Sequence, residues 1–125
     1  MGAKGRISRS KALSLADKAY SRYIRDRDDW TCICCGVQLK HDRNMNCGHL
    51  ISRRRMAVRF DDENCHAQCW SCNSAHRYWP DKMTLKVIQK IGFKRYVALC
   101  ERAEEMRQYK TYELQEIAEK YAPLP

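Results

Sequence analysis

The chain has 125 residues, which suits one domain, and no apolar run in it approaches the length of a membrane span. Lysine and arginine number 24 against 15 aspartates and glutamates, which gives a formal charge of +9. This excess favours an anionic partner, with nucleic acid favoured over a membrane surface or an acidic protein. Because the basic start of the chain lacks the apolar stretch of a signal peptide, we expect a cytoplasmic protein, in whose reducing surroundings cysteine pairs more often bind metal than form disulfides.

In chain order, residues 1–12 are predicted to be a flexible basic arm, followed by a helix from about Ser14 to Asp28 with apolar residues at helical spacing. Two short strands are expected near Val37–Leu39 and Cys47–Ser52, and residues 61–64 form a loop. Helices are then predicted over Trp70–Tyr78, Thr84–Lys90 and Phe93–Arg107 and from Thr111 through Tyr121. This order predicts an α+β fold with one domain over residues 13–125, in which a cysteine-rich core over about 30–80 precedes C-terminal helices over about 82–122.

Two C-x-x-C pairs stand out, Cys32 with Cys35 and Cys69 with Cys72. A turn of this kind presents two sulfurs together, and zinc prefers four tetrahedral thiolate or imidazole ligands. We therefore predict a structural zinc site formed by these four cysteines, rather than four unrelated buried residues. The ion would join the start of a β-hairpin to the start of a helix.

Four further cysteines lie outside this set. Cys34, inside the first pair, is either a bystander or an alternative ligand, and Cys100 lies on an apolar helix stripe that indicates core packing. Cys47 and Cys65 could bind a second ion together with His49 and His66. No close C-x-x-C spacing supports that ion, so buried small residues are the favoured interpretation.

Three polar residues follow a fixed order around the cysteine pairs: His49 and Asn64 between them, and Asn73 directly after the second. This order resembles the HNH, or ββα-metal, nuclease family. By that resemblance His49 takes the position of the general base that activates water, Asn64 that of an asparagine bracing the histidine's segment, and Asn73 that of a ligand to a catalytic divalent ion. The residue types suit phosphodiester hydrolysis, because histidine titrates near neutral pH and Mg²⁺ or Mn²⁺ can stabilise the charged transition state.

One position departs from the HNH pattern, in which an aspartate or histidine often precedes the base as a metal ligand. Here that residue is Gly48, which has no side chain. The second ligand must then come from elsewhere, and His76, His66 and Asn46 are the candidates.

Basic residues cluster in two stretches that contain no acid, and we predict that both contact DNA phosphates. The clusters are Arg53, Arg54, Arg55 and Arg59 near the first strand, and Lys4, Arg6, Arg9 and Lys11 in the arm.

Longer stretches resemble the NinG recombination-protein family of bacteriophages and prophages. They are Tyr23–Asp28, Cys32–Gly36, Cys47–Arg53, Arg59–Phe60, Asn64–His66, Gln68–Asn73, Ile88–Gly92 and Thr111–Leu114. The resemblance implies a structure-specific endonuclease in the bacterial host's cytoplasm. It would act on branched DNA, such as Holliday junctions and D-loops, and a homodimer is expected.

Two other functions stay open on the sequence alone. One is a non-catalytic zinc module that binds DNA through its basic arm, and the other is an HNH enzyme that cuts linear duplex DNA. In the first, His49 is a zinc ligand or a structural residue, Asn64 caps a helix, and Asn73 caps or faces solvent. The chain has no obvious sequence-reading domain, which favours recognition of DNA shape over recognition of base sequence.

Overall fold

The computed structural model describes residues 7–123, and in that range it holds five α-helices and one two-stranded antiparallel sheet. The elements are α1 (Arg9–Arg27), β1 (Met45–His49), β2 (Cys65–Cys69), α2 (Trp70–His76), α3 (Asp81–Ile91), α4 (Phe93–Ala103) and α5 (Thr111–Lys120), with a 3₁₀ turn at Met56–Val58. The predicted α+β class is confirmed. Among the described helices, none combines the length and the apolar character that crossing a membrane requires. Lys4 and Arg6 of the predicted arm lie outside the described residues.

Helix α1 begins at Arg9, so the prediction of a start near Ser14 was wrong. The Ser8 hydroxyl caps the helix by accepting a hydrogen bond from the backbone N–H of Lys11 at 3.0 Å. Arg9 and Lys11 therefore belong to the first turn of the helix and not to an arm. Apolar side chains buried at every fourth position define its inner face: Ala12, Ala16, Tyr20 and Ile24.

The sheet differs from the one predicted. Val37–Leu39 forms no strand, and this segment contributes one isolated bridge between Thr31 and Gln38. The partner of β1 is β2, whose five residues are all buried. The sequence of β2, Cys-His-Ala-Gln-Cys, alternates apolar and polar residues, but its two polar residues, His66 and Gln68, are buried as well.

Both backbone groups of Ala67 on the outer edge of β2 find partners. The Asp28 carboxylate accepts a hydrogen bond from the Ala67 N–H at 2.8 Å, and the Ala67 carbonyl accepts one from the Ile33 N–H at 2.9 Å. A two-stranded sheet leaves polar edges that need such partners. The loop of the first cysteine pair and the end of α1 thus take the place of a third strand.

Four small apolar clusters hold the helices on this sheet. Helix α5 packs on α1 through Leu114, and Tyr20 and Ile24 of α1 pack on Cys65 of β2. Helix α3 covers the first cysteine pair with Met83 and Val87. Helix α4 covers the 3₁₀ turn through Leu99, Ala103 and Val58, which fixes the loop between the strands.

The helices after the sheet lie close to their predicted positions. Helix α2 ends at His76 instead of Tyr78, and α4 ends at Ala103 instead of Arg107. Helix α3 starts at Asp81 rather than Thr84, directly after Pro80, because proline is tolerated at a helix start. Gly92, with φ of 89°, separates α3 from α4.

Candidate functional site

The four cysteines of the two C-x-x-C pairs meet in one cluster. The sulfurs of Cys32, Cys35, Cys69 and Cys72 all lie within 4.8 Å of one another, and those of Cys35 and Cys69 are 3.8 Å apart. Four thiolates about 2.3 Å from a zinc ion would be separated by roughly 3.8 Å in a tetrahedron. The cluster could therefore hold a structural metal such as zinc.

Local backbone geometry presents these sulfurs. In the first pair, the Gly36 N–H donates to the Cys32 carbonyl at 2.9 Å, and Gly36 has φ of 80°, a value that favours glycine. In the second pair, Cys69 ends β2 and is also the N-cap of α2. Cys72 follows in the first turn of that helix. The metal site thus joins a tight turn to a strand–helix junction.

The thiols of this cluster differ in acidity. Hydrogen bonding from Cys34 holds the pKa of Cys32 at about 3, whereas burial raises the pKa of Cys72 to about 12. Burial also raises the pKa of Cys69. A cation that binds all four as thiolates must therefore displace protons, so metal affinity should fall as the pH falls.

An open cavity of about 440 Å³ lies along β1. Its walls include His49, Asn73, Asn46, Asp17, Asp42 and Arg53. The structure thus brings together two of the three predicted catalytic residues, His49 and Asn73. Asn64 lies outside the cavity wall.

His49 ends β1 and is held by the loop that follows. Its ring nitrogen Nε2 is 3.0 Å from the backbone carbonyl of Arg59. A carbonyl only accepts hydrogen bonds, so Nε2 carries the proton and Nδ1 keeps a free lone pair. Burial lowers the pKa of His49, which keeps the ring neutral near pH 7.

Asn64 braces this loop and is fully buried. Its side-chain oxygen accepts a hydrogen bond from the Ile51 N–H at 2.8 Å. Its amide nitrogen donates to the carbonyls of Ile51 and Val58, both at 3.0 Å. These three bonds join the segment after His49 to the 3₁₀ turn. Asn64 therefore acts as an internal brace and does not cap a helix.

Arg59 holds the same loop from the other side. Its guanidinium binds the Asp17 carboxylate of α1 through two nitrogens and also donates to the Arg53 carbonyl at 3.2 Å. The side chain is 10% exposed. The prediction that Arg59 contacts a DNA phosphate is corrected here, because its hydrogen-bonding groups are already used inside the protein. Arg53, Arg54 and Arg55, by contrast, are exposed.

Gly48 lies against the side chain of Gln68 from the neighbouring strand. A Cβ at position 48 would lie 2.2 Å from the Gln68 side-chain oxygen, and Gln68 is fully buried. The space that a side chain at position 48 would need is therefore filled. Glycine at position 48 thus leaves room for the buried Gln68 side chain.

His66 lies away from the cavity. It is fully buried, and Nε2 lies 2.9 Å from the Glu63 carbonyl while Nδ1 lies 3.1 Å from the Lys90 ammonium. Burial and the Lys90 charge lower its pKa to about 4. With both ring nitrogens bonded and a cation beside it, His66 is not placed to bind the predicted divalent ion.

His76 lines a different cavity from Asn73. Its Nε2 is 3.1 Å from the Leu50 carbonyl, and it lines a smaller cavity of about 260 Å³ together with Gln68 and Trp79. His76 is therefore not among the residues that line the cavity of His49 and Asn73. Of the three candidates for a second ligand, Asn46 shares the cavity with Asn73.

Two carboxylates that line this cavity were not predicted from the sequence as site residues. Asp17 comes from α1, and Asp42 comes from the loop before β1, where Arg25 binds it at 2.9 Å. Neither stands at a fixed spacing from the cysteine pairs, so no local pattern indicated them. The cavity consequently contains two carboxylates, each of which is paired with an arginine: Asp17 with Arg59 and Asp42 with Arg25.

A second group of metal-ligand type lies on the wall of this cavity. The ligand atoms of Cys47, His49 and Cys65 all lie within 4.8 Å of one another. Cys65 is fully buried, and its thiol lies 3.4 Å from the Arg59 carbonyl. His66 does not belong to this group.

A protein-family model, described as bacteriophage Lambda NinG protein, matches residues 4–124. The match covers both cysteine pairs, the cavity and the C-terminal helices. No curated protein and no solved structure matches the chain.

Proposed function

Since the chain belongs to the family of the bacteriophage Lambda NinG protein, we propose that it is an endonuclease of phage recombination. The proposed enzyme has an HNH-type centre and hydrolyses phosphodiester bonds of branched DNA, such as Holliday junctions and D-loops. A divalent metal ion is required, and the work of the protein is to hold the water, the phosphate and the ion in place.

One observation carries this proposal. His49 and Asn73, selected from their spacing to the cysteine pairs, line one cavity although they are 24 positions apart in the chain. Within it the Arg59 carbonyl fixes the His49 ring with Nδ1 free. A neutral imidazole held in one tautomer beside an open cavity is the arrangement that a general base requires.

The proposed reaction begins with water in the cavity. His49 accepts a proton from that water at Nδ1, and the resulting hydroxide attacks the phosphorus. The developing positive charge on the ring is stabilised by the Arg59 carbonyl at Nε2. Asn64 holds the loop that supplies this carbonyl, so it acts as a positioning residue.

A bound Mg²⁺ or Mn²⁺ would stabilise the charge on the phosphate and the departing 3′ oxygen. Asn73 and Asn46 are the residues we propose to hold it, with Asp42 as a nearby carboxylate. Hard cations of this type commonly keep several waters and few protein ligands. The missing side chain at Gly48 is consistent with such a site.

Exposed arginines beside the cavity are proposed to bind the flanking phosphates. Arg53 lines the cavity, and Arg54 and Arg55 follow it on the exposed loop. Contacts to phosphate position a protein on DNA without reading its sequence. Such a surface suits recognition of a branched shape.

The decisive variant is His49→Ala, and His41→Ala is its matched control because His41 is exposed in the loop before β1. We expect His49→Ala to lower magnesium-dependent cleavage by about 100-fold or more, which is the usual contribution of a general base. The zinc of the four-cysteine site and DNA binding should stay unchanged in both variants. Full cleavage by His49→Ala would refute the proposed base and favour a non-catalytic zinc module or another catalytic residue.

A second experiment addresses the substrate class. A four-way junction and a linear duplex built from the same sequences are compared at equal concentration and salt. We expect the junction to be cut faster, since phosphate contacts and shape, and not base sequence, select the substrate. Equal rates on both would instead indicate an HNH nuclease of linear DNA.

A further inference from the structure

We propose that Cys47, His49 and Cys65 form a second metal site, which takes a thiophilic divalent cation such as Zn²⁺. In this site the ion occupies His49 and thereby stops cleavage. The metal site stands on geometry alone, whereas its effect on cleavage rests on the proposed function.

The register of the sheet places these three side chains together. His49 and Cys65 are directly opposite each other across β1 and β2, and Cys47 lies two positions before His49 on the same face. Their ligand atoms accordingly lie within 4.8 Å of one another. His66 and Gly48 fall on the opposite face, which excludes His66 from the group.

The donor atoms are of the right chemical type, and a bound ion would replace the proton that the Cys65 thiol donates to the Arg59 carbonyl. With Nε2 bonded to the Arg59 carbonyl, Nδ1 of His49 has a free lone pair for a metal. Two thiols and one imidazole form a donor set that zinc accepts and that magnesium, which prefers oxygen, does not. The group therefore selects a different ion from the one proposed for Asn73.

The fourth position of a tetrahedral ion can be reached from solvent. Cys47 and His49 both line the open cavity, so a water molecule or a phosphate oxygen could complete the coordination. Cys65 forms the buried side of the site, where it packs on Tyr20 and Ile24. An ion could thus enter from the cavity without opening the core.

Ligation and base catalysis exclude each other at one nitrogen. Nδ1 cannot accept a proton from water while its lone pair is donated to a metal ion. The four-cysteine cluster shares no residue with this group, so the structural zinc is unaffected. Excess zinc should consequently act as an inhibitor that removes the base and leaves the fold intact.

The metal site is tested by Co²⁺ titration of the reduced protein, in which each thiolate–cobalt bond adds charge-transfer absorbance. Wild type should bind a second equivalent of Co²⁺ beyond the four-cysteine site. Cys47→Ser and, separately, Cys65→Ser should lose that equivalent and its share of the absorbance. Cys100→Ser is the matched control, since Cys100 is half-buried on α4 and outside both clusters. A wild type that binds one equivalent, or cysteine variants that bind as wild type does, would overturn the proposal.

The inhibitory role is tested by adding Zn²⁺ at constant Mg²⁺, with each protein's rate compared with its own rate before addition. Zinc should inhibit wild type and Cys100→Ser at similar concentrations. Half-inhibition of Cys47→Ser should require a zinc concentration at least tenfold higher. Equal sensitivity of all three proteins would overturn the inhibitory role. If no protein cleaves DNA, the proposed function fails, yet the Co²⁺ titration still decides whether the metal site exists.

Discussion

At the scale of single residues, the site depends on which nitrogen of His49 is free. The Arg59 carbonyl fixes this choice, and Arg59 is itself held by Asp17 of α1. The spacing of the cysteine pairs predicted His49 and Asn73. It could not predict Asp17 or the structural role of Arg59, because those contacts join parts of the chain that are 42 positions apart.

Cleavage should depend on pH through His49. Burial lowers its pKa below the ordinary value of 6.5, and the base works only when neutral. The cleavage rate should therefore stay high at pH 6.5 and fall on further acidification with the slope of one proton. Single-turnover rates on a junction measure this profile, with the zinc content checked at each pH. A midpoint above pH 6.5 would contradict the assignment.

Gly48 gives a prediction about packing. In Gly48→Ala the added Cβ would lie 2.2 Å from the Gln68 side-chain oxygen, which is a steric clash. We expect a loss of about 1–3 kcal/mol in the free energy of unfolding, as is usual for overpacking. The double variant Gly48→Ala with Gln68→Ala should lose less than the sum of the two single changes. Additive losses in urea unfolding would show that the two residues do not clash.

At the scale of elements, sequence periodicity predicted the helices better than the strands. Helix α1 shows a buried residue at every fourth position, and α5 begins at Thr111 as predicted. Strand β2 was not predicted although its five residues alternate apolar and polar types. Its polar residues, His66 and Gln68, are buried, whereas a half-buried strand exposes its polar side chains to solvent. Its partners on the outer edge, Asp28 and Ile33, lie in segments that sequence reasoning assigned to a helix end and a metal turn.

The buried His66 of β2 should make stability depend on pH. Its pKa is about 4 in the folded protein against 6.5 for the free side chain. Between these values the unfolded chain binds the proton and the folded chain does not, so stability falls as the pH falls from about 6.5 towards about 4. The contribution lost between pH 7.5 and pH 5 is about 2 kcal/mol.

Urea unfolding of zinc-loaded protein at several pH values measures this effect. In His66→Gln the free energy of unfolding should depend less on pH than in wild type over the same pH range. His41→Gln, which is altered at an exposed position, should depend on pH as wild type does. Parallel curves for wild type and His66→Gln would contradict a neutral, buried His66.

At the scale of the whole molecule, small apolar clusters hold the helices on the sheet, and the four-cysteine cluster could add a structural metal. The clusters touch through Leu50 and Phe60, and the one with the most buried residues contains Cys32 of the first cysteine pair. Domains of this size bury limited core and often depend on a metal. The four-cysteine site could be predicted because each C-x-x-C turn is a local sequence pattern. The packing of α4 on the 3₁₀ turn joins distant parts of the chain, so no local pattern indicated it.

Substitution of one zinc ligand should therefore destabilise the protein far more than the loss of that side chain's own packing contacts would. Cys35 is exposed, so Cys35→Ser removes little buried surface. We nevertheless expect it to lose zinc and about 3 kcal/mol or more of stability, since metal binding is coupled to folding. Cys100→Ser should change stability by less than about 1 kcal/mol. Thermal unfolding with metal analysis compares the two, and equal stability would contradict a structural metal.

The central claim is that His49 activates water for cleavage of branched DNA beside an ion held at Asn73. It is tested most directly by the time course of cleavage of a labelled four-way junction by wild type and His49→Ala, each with and without Mg²⁺ or Mn²⁺. We predict cleavage by wild type that requires the ion, and a loss of about 100-fold or more in the variant although it still binds the junction. Cleavage by wild type without a divalent ion, or equal cleavage by the variant, would contradict the account.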